Sequence, residues 1–223
     1  TIKTNVLGTL NILDLAKKND AKILQASTSE IYGDPLEHPQ SEDYWGNVNP
    51  IGPRACYDEG KRAAETLFYD YNREYGIEIS VARIFNTYGP NMSHDDGRVI
   101  SNFITQALKR KPIYIYGDGM QTRSFCYIDD LIEGLLKLMF QSNRILPLNL
   151  GNPEEVEILS LAKSICNLIK SDSKIVFLEK SADDPKRRKP NIEIAKKELN
   201  WHPKISLNKG LVELIKYFGR KIY

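Results

Sequence analysis

Two short apolar runs, KILQAS at 22–27 and IEISVARI at 77–84, stand either side of a long stretch of helical periodicity. A strand, a helix and a second strand in that order point to a parallel sheet with the helix laid across one face. The rest of the chain keeps the alternation. Val6, Leu7, Leu10, Leu13 and Ala16 recur at helical spacing and predict a helix over 5–18. The long helix is predicted over 57–75, with Gly76 as its C-cap. Further helices are predicted over 99–108, 129–140 (N-capped at or beside Asp129), 160–169, 192–199 and 207–217. Further strands are predicted over 112–116, 146–150 and 174–178, and 33–53 reads as a loop punctuated by glycine and proline. The fold class expected is therefore α/β with a parallel sheet, without internal repeats or a low-complexity linker.

A chain of 223 residues can bury a full core and normally makes one or two domains. Its net charge of +2 is too small to point to nucleic acid or to a membrane surface. No apolar run is long enough to span a bilayer, and no leader pattern is present. Cys56, Cys126 and Cys166 are too widely spaced for a metal set or a disulfide framework, which favours a reducing compartment, the cytoplasm. His38, His94 and His202 show no metal-ligand spacing either; they are expected at the surface, and no metal is expected. The chain enters a helix directly at Thr1, and the beginning of the domain is expected to lie upstream.

The long helix opens with Tyr57 and Lys61, four residues apart and so on one face. A free tyrosine titrates near ~10, too high for a base at neutral pH, and a neighbouring ammonium favours the phenolate. Such a pair can take a hydroxyl proton during hydride transfer, although Tyr-x-x-x-Lys alone also matches much ordinary helix surface. The second informative segment, Ser27-Thr28-Ser29-Glu30, follows the first predicted strand, and ligands of open α/β sheets sit beyond the carboxyl ends of strands. A hydroxyl there can bond a substrate oxygen beside the phenol; an ST-turn closing the strand is the plain alternative. Gly117 and Gly119 imitate a dinucleotide fingerprint but lack its third glycine and following helix, and read as a turn.

With these motifs together, the chain resembles the extended short-chain dehydrogenase/reductase family of nucleotide-sugar enzymes. The resemblance runs from about Lys3 to Trp201 and includes STSEIYGDP (27–35), ARIFNTYGP (82–90), YGDGMQTRSFCYIDDL (116–131) and KRRKPNI (186–192). The block EDYWGNVNPIGPRACYDEGKR (42–62) is more selective and is similar to the UDP-glucuronate decarboxylases of that family. Related 4,6-dehydratases have Thr-Asp-Glu where this chain has Thr28-Ser29-Glu30. Their aspartate protonates a departing C6 hydroxyl, a step that loss of carbon dioxide does not require. The resemblance implies a Rossmann-type sheet with a smaller C-terminal α/β region. Residues 1–90 would be the second half of the NAD-binding domain and 91–223 mainly the nucleotide-sugar region, with about 120–150 returning to the Rossmann domain. It implies catalytic roles for Tyr57, Lys61, Thr28, Ser29 and Glu30, and cofactor contacts from Thr4, Tyr57, Lys61, Thr87 and Arg98. Lys3, Asn86, Arg123 and Arg188 would bind substrate, the arginines through forks suited to phosphate or carboxylate oxygens; the rest of the basic run 186–189 reads as a solvated patch. NAD, UDP-glucuronate and a second copy of the chain are the implied partners, the dimer forming through the helices over 5–18 and 57–75.

The expected chemistry is oxidation at the sugar C4, loss of carbon dioxide from the resulting β-keto acid, and reduction back to a UDP-pentose, UDP-xylose. The family's glycine-rich turn and about four sheet strands do not occur in these residues and are expected upstream of Thr1, leaving apolar faces of the first helix and strand uncovered. An anchor upstream would shift the expected location to the secretory-pathway lumen. Two alternatives stay open: another family member, a 4,6-dehydratase or 4-epimerase, and a non-catalytic portion that serves as a dimerisation partner.

Overall fold

The computed structural model describes residues 1–179 and 187–222. Helix α1 (Ile2–Lys18) leads into β1 (Ile23–Thr28), a 3-10 turn (Ser29–Tyr32) and, after a long loop, α2 (Ala55–Tyr75) and β2 (Ile79–Ile84). These follow the predicted order, with α1 starting three residues early and α2 starting two residues early. Gly76 caps α2 in the left-handed conformation, donating to Asn72 O. Strand β3 (Thr87–Tyr88), α3 (Val99–Leu108), β4 (Ile113–Tyr116), β5 (Thr122–Ser124) and β6 (Cys126–Tyr127) come next. Then follow α4 (Ile128–Gln141), β7 (Leu148–Leu150), β8 (Glu155–Glu157), α5 (Ile158–Ile169) and β9 (Ile175–Leu178). Strand β10 (Arg187–Arg188), α6 (Glu193–Leu199) and α7 (Leu207–Ile222) complete the described chain. The N-cap of α4 is Tyr127, in extended backbone, and Asp129 sits inside the first turn instead. Strands β3, β5, β6, β8 and β10 were not predicted: two or three residues are too few to show a period of two.

The central sheet is parallel, in the order β1-β2-β7. Alternation along β2 sorts its two faces. Ile79 and Val81 meet Leu13, Ala16 and Phe68 of α1 and α2. Ala82 points the other way, into a core of Leu138, Leu148, Leu150, Ala195 and Trp201 beneath α4 and α6. Helices α1 and α2 are tied by Tyr71 Oη donating to Asp14 at 2.8 Å and by the Lys17 ammonium 3.2 Å from the Tyr75 ring centre. A second core joins α3, α5 and α7 to β4, which pairs with β9 in parallel. Two features match the expected uncovered faces. Ile2, Leu7, Ile12 and Leu15 of α1 are about half exposed, at 48–56%. Among the described residues β1 pairs with β2 alone, so its other edge is open. No helix of the described residues is long and apolar enough to cross a membrane.

Smaller strands fix the cleft. Strand β5 lies between β10 and β8, and the parallel register of β5 with β10 puts Arg123 directly beside Arg188. Gly117 and Gly119, both at φ +78, form the predicted turn after β4. His38 and His202 are exposed as expected, His38 pairing with Glu155 at 3.0 Å. His94 is only partly exposed: its ring packs edge-on against Phe218 and its Nδ1 is buried, because the 89–98 loop folds down onto α7.

Candidate active site

The carboxyl ends of β1 and β2, the start of α2, the start of α3 and the β10-β5 pair surround one cleft of about 830 Å³. Thr28 ends β1 in extended backbone, and its Oγ1 accepts from Glu30 N at 3.2 Å, capping the 3-10 turn. The ST-turn is present, and the threonine that makes it also lines the cleft. Ser29 is buried beside it. Glu30 stands between two guanidiniums. Arg54 Nη2 donates to its Oε2 at 2.8 Å, and Arg188 Nη1 makes a close contact with its Oε1.

Tyr57 lies in the first turn of α2 and lines the cleft. The Lys61 ammonium is 6.0 Å from the centre of its ring and donates to Ala26 O on β1 at 3.0 Å. Burial draws the Lys61 pKa down. Thr28, Ser29, Glu30, Tyr57, Asn86, Thr87, Arg98, Arg123 and Arg188 all line the cleft. Asn86 and Thr87 follow β2, where Asn86 O accepts from Cys126 N and the Thr87 hydroxyl bonds Phe85 O. Arg98 is the N-cap residue of α3 and pairs loosely with Asp96 at 3.6 Å. Arg123 and Arg188 are only 8% and 4% exposed, and Arg188 also donates to Gly33 O at 3.1 Å. Its Nε is buried with no partner among the described residues. Burial lowers the Arg188 pKa, and the Glu30 carboxylate opposes that fall.

Three sequence-predicted residues stand apart from the cleft lining. Lys61 lies beneath the cleft edge, while Lys3 and Thr4 sit exposed on the first turn of α1. Of the basic run 186–189, Lys186 lies outside the described residues; Arg187 is exposed and Lys189 reaches Glu155 at 3.7 Å. Sequence reasoning missed Arg54 and Asp58. Arg54 stands three residues before Tyr57, so a helix wheel continued one turn backwards would have found it. Asp58 is buried, its Oδ1 has no partner among the described residues, and burial first, then nearby Glu30, push its pKa up to about 6. Among the described residues no group of three or more His, Cys, Asp or Glu side chains is placed to hold a metal ion.

A parallel sheet whose strand ends meet a Tyr-x-x-x-Lys pair places this chain in a class: Rossmann-type proteins of the short-chain dehydrogenase/reductase kind. Comparison with known families narrows that class. The model of the NAD dependent epimerase/dehydratase family matches residues 1–151, and the chain belongs to this family. It is 58% identical over 222 residues to UDP-glucuronic acid decarboxylase 1 of Arabidopsis thaliana, covering 100% of this chain and 51% of that protein. It is 57% identical to UDP-glucuronic acid decarboxylase 1 of Danio rerio, covering 100% of this chain and 53% of that one. The chain thus spans about half the length of the curated relatives it matches. Among solved structures, UDP-glucose 4-epimerase from Thermotoga maritima, with UDP-glucose, superposes with a TM-score of 0.93 at 26% identity, over 100% of this chain and 71% of that one. UDP-glucuronic acid 4-epimerase from Bacillus cereus, with UDP-glucuronic acid and NAD, gives a TM-score of 0.87 at 30% identity, over 100% and 69%.

Proposed function

We propose that this chain carries the catalytic pair and the sugar-nucleotide residues of an NAD-dependent UDP-glucuronate decarboxylase that forms UDP-xylose. One observation carries the reading: identity with UDP-glucuronic acid decarboxylases is 56–59% along the chain, against 24–30% for the epimerases and the dehydratase of like fold. The site chemistry agrees. Position 29 is a serine, and both oxygens of Glu30 accept from arginines, so no free carboxylic acid waits for a departing hydroxyl.

The residues present fit the nicotinamide end of NAD. With one N–H on Ala26 O, the Lys61 ammonium keeps two donors for ribose hydroxyls beside Tyr57; Thr87 and Arg98 are further contacts, while Thr4 stands outside the cleft lining. Held there by Lys61, Thr87 and Arg98, NAD would supply reversible hydride acceptance at the sugar C4. Tyr57 accepts the C4 hydroxyl proton, with the Lys61 ammonium beside it and Thr28 holding the C4 oxygen. Oxidised at C4, the sugar is a β-keto acid, and its carboxylate leaves as carbon dioxide while the electron pair passes into an enolate on the C4 oxygen. The Thr28 and Tyr57 hydroxyls face that oxygen and stabilise its charge. Ser29 and Glu30 lie toward C5, Asn86 and Arg123 hold the nucleotide diphosphate end, and Arg188 holds the diphosphate or the uronate. Lys3 would join them only at the cleft margin.

We further propose the division of the chain near residue 90, a homodimer through α1 and α2, and a cytoplasmic home suited to three free thiols. The test is the intact mass of the native protein, then incubation with NAD and UDP-glucuronate and mass detection of products. UDP-xylose with carbon dioxide supports the reading, with Tyr57→Phe slowing turnover on the order of 10²-fold or more. UDP-galacturonate as product would replace it with a 4-epimerase.

A further inference from the structure

A polar row runs through the central sheet one residue below its carboxyl edge. The strand register sets Ser27, Arg83 and Asn149 side by side on β1, β2 and β7, all at most 9% exposed. By alternation this row faces the α2 side, where Val81 also points. Arg83 is its hub. The Nε and Nη2 atoms fork onto Glu65 at 3.2 and 2.9 Å, while Nη1 donates to Tyr32 Oη at 3.0 Å and to Glu42 O at 2.8 Å. Glu65 also accepts from Ser27 Oγ at 2.5 Å.

From Tyr32 the network continues. Its hydroxyl donates to Asn149 Oδ1 at 2.8 Å, and Asn149 Nδ2 donates to Gln40 O and to Asn191 O. Gln40 in turn pairs with both sides of Lys189: Gln40 N donates to Lys189 O, and Lys189 N to Gln40 Oε1. Burial pushes Tyr32 up to about 12, so its hydroxyl keeps the proton it donates.

The segments joined in this way carry the proposed sugar end of the cleft, with Arg188 here taken on the uronate and not on the diphosphate. Ser27 precedes Thr28, Tyr32 ends the turn that holds Ser29 and Glu30, and Lys189 follows Arg188. Glu65 continues the Tyr57 and Lys61 face of α2 by one further turn. Arg123, by contrast, stands on β5, and Arg98 opens α3.

We infer that Arg83, which does not line the cleft, is a positioning residue for the sugar: its guanidinium sets the spacing between the Thr28–Glu30 turn, the Tyr57–Lys61 pair and Arg188. The inference rests on the reading above for the identity of the sugar. Because Arg83→Met alone strands the Glu65 carboxylate in the core, the test uses the neutral double variant Glu65→Gln/Arg83→Met. Beside it, Tyr32→Phe removes only the hydroxyl between Arg83 and Asn149. In the native protein with NAD, calorimetric affinities for UDP and for UDP-glucuronate are compared, together with hydrogen exchange in 28–33 and 187–191. The expected result is UDP affinity within about twofold of wild type and UDP-glucuronate affinity reduced roughly tenfold or more, about 1.4 kcal/mol. Exchange should quicken in both segments together. Equal weakening of both ligands, or unaltered exchange, would reduce Arg83 to a plain core residue. A wild-type protein that does not turn over UDP-glucuronate would instead refute the substrate reading, and the exchange result then decides the inference alone.

Discussion

At the scale of single residues, the cleft is built from side chains whose chemistry depends on what surrounds them. Asp58, next to the cleft-lining Tyr57 but not itself in the lining, shows the same dependence. Its pKa stands at about 6, well above the ordinary 3.8, so between those values the folded chain holds a proton that the unfolded chain has released. Stability therefore falls as pH rises through this window, and at neutral pH the buried carboxylate opposes folding by roughly 1–3 kcal/mol. Asp58→Asn is expected to raise the melting temperature at pH 7 and to change it little at pH 4. Equal shifts at both values would show that Asp58 does not titrate in this window. Of the residues that line the cleft, Tyr57 and Thr28 were legible in local motifs and Asn86 through the family resemblance, while the apolar lining from Tyr88, Phe103 and Ile115 was not. Asp58 and Arg83 were not, since nothing near them in sequence says that their charges are buried. Burial of both is set by the fold, which also brings Glu30 toward Asp58 from 28 positions away and Glu65 onto Arg83 from 18.

At the scale of elements, helices and central strands followed from periodicity, and the short strands did not. Strands β5, β8 and β10 are ordered by pairing with one another and not by any pattern of their own. The long loop is held instead by turn geometry. Gly33 closes it at φ +62, and a Cβ there would lie 2.0 Å from Asn47 O. Gly33→Ala is expected to destabilise by about 2 kcal/mol or more in urea unfolding, since strain and a backbone clash combine. It should also weaken sugar-nucleotide binding, because Gly33 O is an anchor of Arg188. Gly76→Ala is the comparison: it shares the positive φ, at +70, but meets open space, so a loss of only about 1 kcal/mol is expected. Equal losses in the two variants would mean that the loop yields around Asn47.

At the scale of the whole molecule, the apolar surface of α1 and the open edge of β1 belong together. Ile12 and Leu15, three residues apart and both about half exposed, share a helix face that water does not favour. The 223-residue chain is expected to self-associate at micromolar concentration, and Ile12→Lys with Leu15→Lys to return it toward the monomer mass in light scattering. An unchanged mass would place the association elsewhere. Sequence reasoning expected an uncovered apolar face here from the family resemblance, which places further sheet strands upstream of Thr1; the periodicity over 5–18 did not itself single out Ile12 or Leu15. One further consequence concerns the seam between β5 and β10. Like charges directly opposed across neighbouring strands repel, and here Arg123 and Arg188 are register partners in a buried place. An anionic ligand lying over both guanidiniums turns that repulsion into cohesion. On the proposed function, a sugar nucleotide over both guanidiniums would tie β5 to β10 as well as fill the cleft, adding to the hold that Glu30 already has on Arg188.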